Sequence, residues 1–173
     1  MVWRKGLDAV QEPYRTVLEA LLNELKKRFG KRLVSLVVFG SVARGTMKSD
    51  SDLDLLIVAQ GLPRGRIRRG LLFYEVEEAL APLLEKVEAL WKVRVCFSPI
   101  LKTPEEAQRI VPLYLDLVED AVLVFDRNEF FETVLRRLKQ RLQELGAQRV
   151  WMGRKWYWVL KPEFEFGEVI ELE

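Results

Sequence analysis

The 173-residue chain contains no histidine, a single cysteine and only two asparagines. Without an imidazole there can be no His-based acid–base catalysis and no His-ligated metal centre. One cysteine cannot close an internal disulfide, and Cys96, between Val95 and Phe97, reads as a small buried apolar side chain rather than a nucleophile. No run approaches the ~18 apolar residues of a membrane span, and Met1 to Lys5 lead into an amphipathic pattern rather than a signal peptide. The expectation is a cytoplasmic protein with no membrane segment. Neither sign of charge dominates: a formal net charge of +2 exerts little general pull on nucleic acid. Sparse asparagine beside abundant Lys, Arg and Glu is the composition expected of a thermophile's protein. With 49% hydrophobic and 31% charged residues, the chain can build one domain, with or without an appendage.

What is present concentrates between Leu33 and Val58. The apolar run Leu33 to Phe39 ends abruptly at Gly40, as a buried strand ends in a tight turn, and glycine lets the backbone approach a ligand closely. Ser41 follows as a natural N-cap, so the next residues can open a short helix with free backbone N–H groups above the strand end. A triphosphate suits that cradle. Asp52 and Asp54 stand two apart at the start of a second apolar run, Leu53 to Val58, and strand alternation sends both carboxylates to one face. Two like charges about 4 Å apart cost roughly 4 kcal/mol at an effective dielectric of ~20. A divalent cation bridging them removes that cost, and all-oxygen ligation points to Mg2+ or Mn2+. Asp50 shares the parity of Asp52 and Asp54, so alternation alone leaves open which two form the pair.

Gly40-Ser41, ten intervening residues and then Asp52-x-Asp54 resemble the signature of the polymerase β nucleotidyltransferase superfamily. The fuller Gly40-Ser41-Val42-Ala43-Arg44-Gly45 is similar to its minimal, antitoxin-type branch. The resemblance covers roughly residues 30 to 60. It implies that Gly40 and Ser41 bind the β- and γ-phosphates of a nucleoside triphosphate, with ATP favoured. It implies that Asp52 and Asp54 hold the metal, and that a third carboxylate on a neighbouring strand assists the nucleophile. The implied reaction transfers a nucleoside monophosphate, AMP for ATP, to an acceptor hydroxyl. Its leading acceptor class is a protein partner of the helical toxin type. That partner is a separate chain, because the Arg/His ribonuclease motif of such toxins needs a histidine. The third carboxylate is missing where it is expected: the candidate strand Val93 to Phe97, extended through Ser98, offers Arg94, Cys96 and Ser98 on its polar parity. Glu88, Asp116, Glu119 and Asp120 are alternatives that spacing does not separate. The rival expectation is therefore a weak or inactive nucleotide-binding, antitoxin-like subunit.

Elsewhere the pattern predicts a mixed α/β fold, a nucleotidyltransferase domain over residues 1–125 and a C-terminal helix and hairpin over 126–173 packed on it. A first helix is expected near Asp8 to Phe29, stopped by Gly30, and a second over Ile67 to Leu90, kinked or broken at Pro82. The two should cover one face of the sheet. Thr103-Pro104-Glu105-Glu106 spells a helix start with N-cap, N1 proline and N3 glutamate. Ala121 to Phe125 reads as a strand, and Asp126 with Glu129 as a capping pair opening a helix to Leu145. Arg149 to Val159 reads as two strands around a glycine turn, followed by a Pro162 to Gly167 loop and a final short strand. Arg64, Arg66, Arg68 and Arg69 crowd a helix N-terminus against its dipole, which reads either as attraction to an anion or as a solvated loop. Trp156 and Trp158 alternate with Tyr157 and Val159, the pattern of a hairpin fastened to helices, in preference to a stacking platform for single strands. Nucleic acid is not favoured as a partner, and the oligomeric state is open, with a homodimer among the options.

Overall fold

The apolar runs on either side of Gly40 become two adjacent inner strands of a five-stranded mixed sheet. The computed structural model describes residues 3–153, 155–163, 165 and 167–172. Strands β1 (Arg4–Lys5), β2 (Leu33–Phe39), β3 (Leu53–Ala59), β4 (Phe97–Lys102) and β5 (Val122–Asp126) lie in the order β1-β5-β2-β3-β4. β2 is antiparallel to both β3 and β5, while β1–β5 and β3–β4 are parallel. A separate hairpin pairs β6 (Gln148–Met152) with β7 (Lys155–Val159). The helices are α1 (Tyr14–Phe29), α2 (Gly40–Arg44), α3 (Arg66–Trp91), α4 (Pro104–Ala107), α5 (Leu113–Asp120) and α6 (Phe130–Glu144).

Alternation along β3 divides the core. Leu53, Leu55 and Ile57 pack with α1 and α3 on one face, whereas Leu56 and Val58 pack with α5 and α6 on the other. The expectation that the first two long helices share a face holds. Asp54 has the parity of Leu56 and so belongs to the α5–α6 side.

Several boundaries differ from the sequence reading. The first helix begins at Tyr14, not Asp8, because Pro13 is tolerated only at a helix start; Leu7–Ala9 form a separate 3-10 turn. α3 runs unbroken through Pro82. Pro82 is exposed, so the carbonyl it deprives of a partner can turn to water, while Phe73, Val76 and Leu80 before it and Val87 after it pin both halves to the core. The third strand is Phe97–Lys102 rather than Val93–Phe97, since residues 93–96 are spent linking the end of α3 to β3's flank. Cys96, in that link and not in a strand, is exposed rather than buried. Asp126 does cap, but at longer range: its carboxylate accepts from the backbone N–H groups of Phe131 and Glu132, both at 2.9 Å, across a 3-10 turn in which Asn128 and Glu129 take left-handed φ. β1 was not anticipated, and residues 168–172 form no strand. Phe164 and Phe166 of the expected Pro162 to Gly167 loop lie outside the described residues. The Thr103 capping box is present as read, and Glu106 then extends to Arg69.

Candidate active site

β2 delivers the chain to Gly40 with Phe39 paired opposite Asp54. Gly40 has φ +70°, and a Cβ placed there would sit 2.0 Å from Asp54 Oδ2. Only glycine meets both conditions, so the turn and the carboxylate share one packed contact. From Gly40 the chain enters α2 directly. Ser41 lies inside that helix rather than capping it, and no side chain caps its start. The expected N-cap role is therefore corrected: the first backbone N–H groups of α2 are left for another acceptor. Gly45 ends the helix in the left-handed conformation, and a turn in which Ser51 Oγ accepts from Lys48 N at 2.8 Å returns the chain to β3. Asp50 falls in that turn and Asp52 immediately precedes β3; of the two, it is the charge of Asp52 that acts on Asp54.

Asp52 is exposed and Asp54 half-buried. Burial pushes the Asp54 carboxyl above its ordinary range, and the neighbouring charge of Asp52 adds to the rise, against a hydrogen bond from Ser98 and the positive field of Arg44. A carboxylate that is desolvated and faces a second one gains when a hard cation arrives. One exposed and one half-buried carboxylate, both oxygen donors, fit a divalent cation of that type.

No group of three Asp, Glu, Cys or His able to hold a metal occurs among the described residues. The residue beside Asp54 on the neighbouring strand is Ser98. The four acids considered in its place go elsewhere. Asp116 accepts the indole N–H groups of Trp156 and Trp158 at 2.7 and 3.0 Å. Asp120, nearly buried, accepts a two-pronged bond from Arg149 at 2.8 and 3.3 Å and lies 3.5 Å from Arg44. Glu119 and Glu88 are exposed, the latter in a groove between α3 and residues 94–96. Arg44 itself lies over the ring of Trp156 at 4.9 Å, and Arg149 over the same ring at 5.1 Å. The hairpin is thereby fastened to α5 and α2, as the alternation of its tryptophans suggested.

The family model of the nucleotidyltransferase domain matches residues 18–144, from the second turn of α1 to the end of α6. The chain belongs to the nucleotidyltransferase family. Over 142 residues it is 30% identical to a putative protein adenylyltransferase of Methanocaldococcus jannaschii, across 81% of this chain and 90% of that protein. Over 73 residues it is 41% identical to the protein adenylyltransferase MntA of Thermococcus cleftensis, 42% of this chain and 67% of the relative. Among solved structures, a toxin–antitoxin complex with AMP-PNP is similar at 16% identity and a TM-score of 0.44, covering 74% of this chain and 91% of that one. The relatives set this nucleotidyltransferase on the minimal branch that its Gly-Ser-x-Ala-Arg-Gly turn suggested.

In this nucleotidyltransferase the structure brings Gly40, Ser41, Asp52 and Asp54 to one strand end. The sequence reading missed what surrounds them. Polar parity alone does not make Ser98 the neighbour of Asp54; that follows from the strand starting at Phe97, four residues beyond Val93. The cluster of Asp116, Asp120, Arg149 and Trp156 around Arg44 had no signal beyond Arg–Trp interleaving. Arg69, in the arginine group that reads either as anion-seeking or as a solvated loop, is held by Glu106 at 2.6 and 2.9 Å and by the carbonyls of Pro63 and Leu101 at 2.7 and 3.1 Å. It is a strut between α3 and α4, and only Arg64, Arg66 and Arg68 of that group stay exposed.

Proposed function

We propose that this nucleotidyltransferase transfers AMP from ATP to a hydroxyl on a separate protein, using Mg2+ or Mn2+ held by Asp52 and Asp54. The observation that carries the reading is the Gly40–Asp54 contact, which joins an uncapped helix start to a carboxylate pair in need of a cation. Support for the acceptor comes from two relatives that carry the name protein adenylyltransferase.

The backbone N–H groups of Gly40 and Ser41, with the Ser41 hydroxyl, hold the β- and γ-phosphates and so retain pyrophosphate as it leaves. The acceptor oxygen forms its bond to the α-phosphorus in line as the bond to the β-phosphate oxygen breaks. A bound divalent cation supplies charge neutralisation at the phosphoryl oxygens. Asp54 binds it only when ionised, so cation affinity falls on acidification at a higher pH than for an ordinary aspartate. Arg44, fixed by Asp120 and Trp156, keeps positive charge beside the phosphates. The test is incubation with each α-labelled nucleoside triphosphate, a divalent cation and cell extract, beside an Asp52→Asn/Asp54→Asn control. Label from ATP that enters a protein band and vanishes in the control supports the reading; label in RNA or a small molecule replaces the acceptor.

Ser98 favours a second reading, a nucleotide-binding subunit that transfers slowly or not at all. General-base assistance is worth ~10^2 to 10^4 in rate, and a serine beside Asp54 does not supply it. In that case wild type binds ATP with its cation but moves no label, and Ser98→Asp raises transfer by about 10^2. An unchanged rate in Ser98→Asp removes the missing carboxylate as the explanation.

A further inference from the structure

α3 is apolar on two opposite sides. Its inner stripe, Phe73, Val76, Leu80 and Val87, is buried against α1 and the sheet. At roughly 100° per residue, Ile67, Leu71 and Tyr74 fall on the side facing away from that stripe. They are 82%, 61% and 55% exposed. Scattered exposed apolar residues are ordinary, but these three recur at i, i+4 and i+7 and form a continuous ridge. Propensity gives no reason for it, since polar helix formers would serve as well.

Charge along the same surface is segregated by sign. Arg64, Arg66 and Arg68 stand at the start of α3, exposed, and no salt bridge among the described residues reaches them. They oppose the helix dipole, so their own helix offers them nothing. One to two turns beyond the ridge lie Glu77 and Glu78, followed by Glu85 and Glu88. Glu78 receives a hydrogen bond from the Tyr74 hydroxyl, and none of the four takes part in a salt bridge among the described residues.

We propose that this ridge is an isologous interface on which two copies of the chain pack α3 against α3, antiparallel, about a twofold axis at Leu71. A twofold interface needs one patch complementary to itself, and this helix carries both halves of the complementarity. With the axis at Leu71, each Leu71 meets its counterpart, Ile67 packs beside the partner's Tyr74, and Arg64 falls against the partner's Glu77 and Glu78. A parallel arrangement would set arginine on arginine. Three apolar residues from each copy make a small interface, so self-association is on the order of micromolar. The inference is independent of the catalytic reading.

The experiment is sedimentation velocity on the full chain from submicromolar to submillimolar concentration, with circular dichroism confirming that each variant folds. Wild type should pass from monomer to dimer, and Leu71→Asp should weaken the association at least ~30-fold. Arg64→Glu/Arg66→Glu and Glu77→Arg/Glu78→Arg should each be monomeric alone, because each sets like charges against each other across the axis. Mixed in equal amounts they should form a heterodimer, because both contacts then join opposite charges. A wild type that stays monomeric overturns the proposal. So does a dimer that survives Leu71→Asp and both charge reversals, since it must use another face.

Discussion

Two groups of charged side chains meet at one end of the sheet, and they are built on opposite principles. Around Gly40 and Asp54 the carboxylates face each other, and Asp54 is pushed away from its ionised form. Around Arg44, a few residues along the same helix, every charge has a partner: Asp120 with Arg149 and Arg44, Asp116 with two indoles, both arginines over Trp156. In the first group a desolvated carboxylate sits beside a second negative charge. The second is complete and holds the first in place. Unpaired charge at a site and paired charge around it is how a fold keeps a reactive geometry rigid without neutralising it.

The sharpest challenge to that contrast is Asp52→Asn/Asp54→Asn, which should lower nucleotidyl transfer by about 10^3 or more with the fold unchanged. Asp54→Asn alone should raise the thermal midpoint of the metal-free protein. The sign follows from the raised folded-state value. The ionised carboxylate destabilises the fold, that cost is absent below the unfolded pKa, and it is complete above the folded one, so neutral pH is where asparagine gains. A fall in midpoint by calorimetry would place Asp54 in the satisfied group instead. Next, Gly40→Ala forces a Cβ into Asp54 Oδ2 at a left-handed φ. It should destabilise by ~1–3 kcal/mol and weaken divalent-dependent ATP binding more than tenfold, read by titration calorimetry.

Arg149→Ala tests the complete group. Its loss leaves Asp120 nearly buried with only the more distant Arg44, which should cost about 2 kcal/mol in denaturant unfolding. Transfer measured well below the melting range should fall far less than in the aspartate double variant. An equal loss of transfer would make the two groups one machine. The smallest effect belongs to the Arg69–Glu106 strut, where Arg69 holds the Glu106 carboxyl down to about 2. Half-exposed as it is, Glu106→Gln should cost ~1 kcal/mol or less after solvent screening. That contribution is present above the ordinary glutamate range and is lost as pH falls through about 4.5 toward about 2. Wild type and variant should therefore converge in midpoint at the acid end of that window.

Legibility along the chain followed the distance over which residues act. The strand–turn–helix–strand unit from Leu33 to Ala59 was readable because its partners are close in sequence: Phe39 pairs with Asp54, and the glycine and the carboxylate it accommodates are 14 residues apart. The Thr103 capping box is local and was equally plain. The third strand was not, because Val93, Val95 and Phe97 alternate as a strand would, while the span from Lys92 back to the sheet consumes those residues as a link. Cys96 went astray with it. In α3 the apolar spacing does not separate core from surface, and only the packing distinguishes Val76, buried, from Leu71, exposed on the far side.

Legible from sequence alone were the glycine turn, the neighbouring aspartates and the mixed α/β character, since these rest on backbone geometry, alternation and charge within short segments. Tertiary structure alone decided that Ser98 stands beside Asp54, that Asp116 and Asp120 are occupied by the hairpin, and that α3 keeps an apolar ridge in solvent. Each of those depends on which distant segment fills a given space, and a competition among side chains for one carboxylate is settled by packing, which no local pattern records.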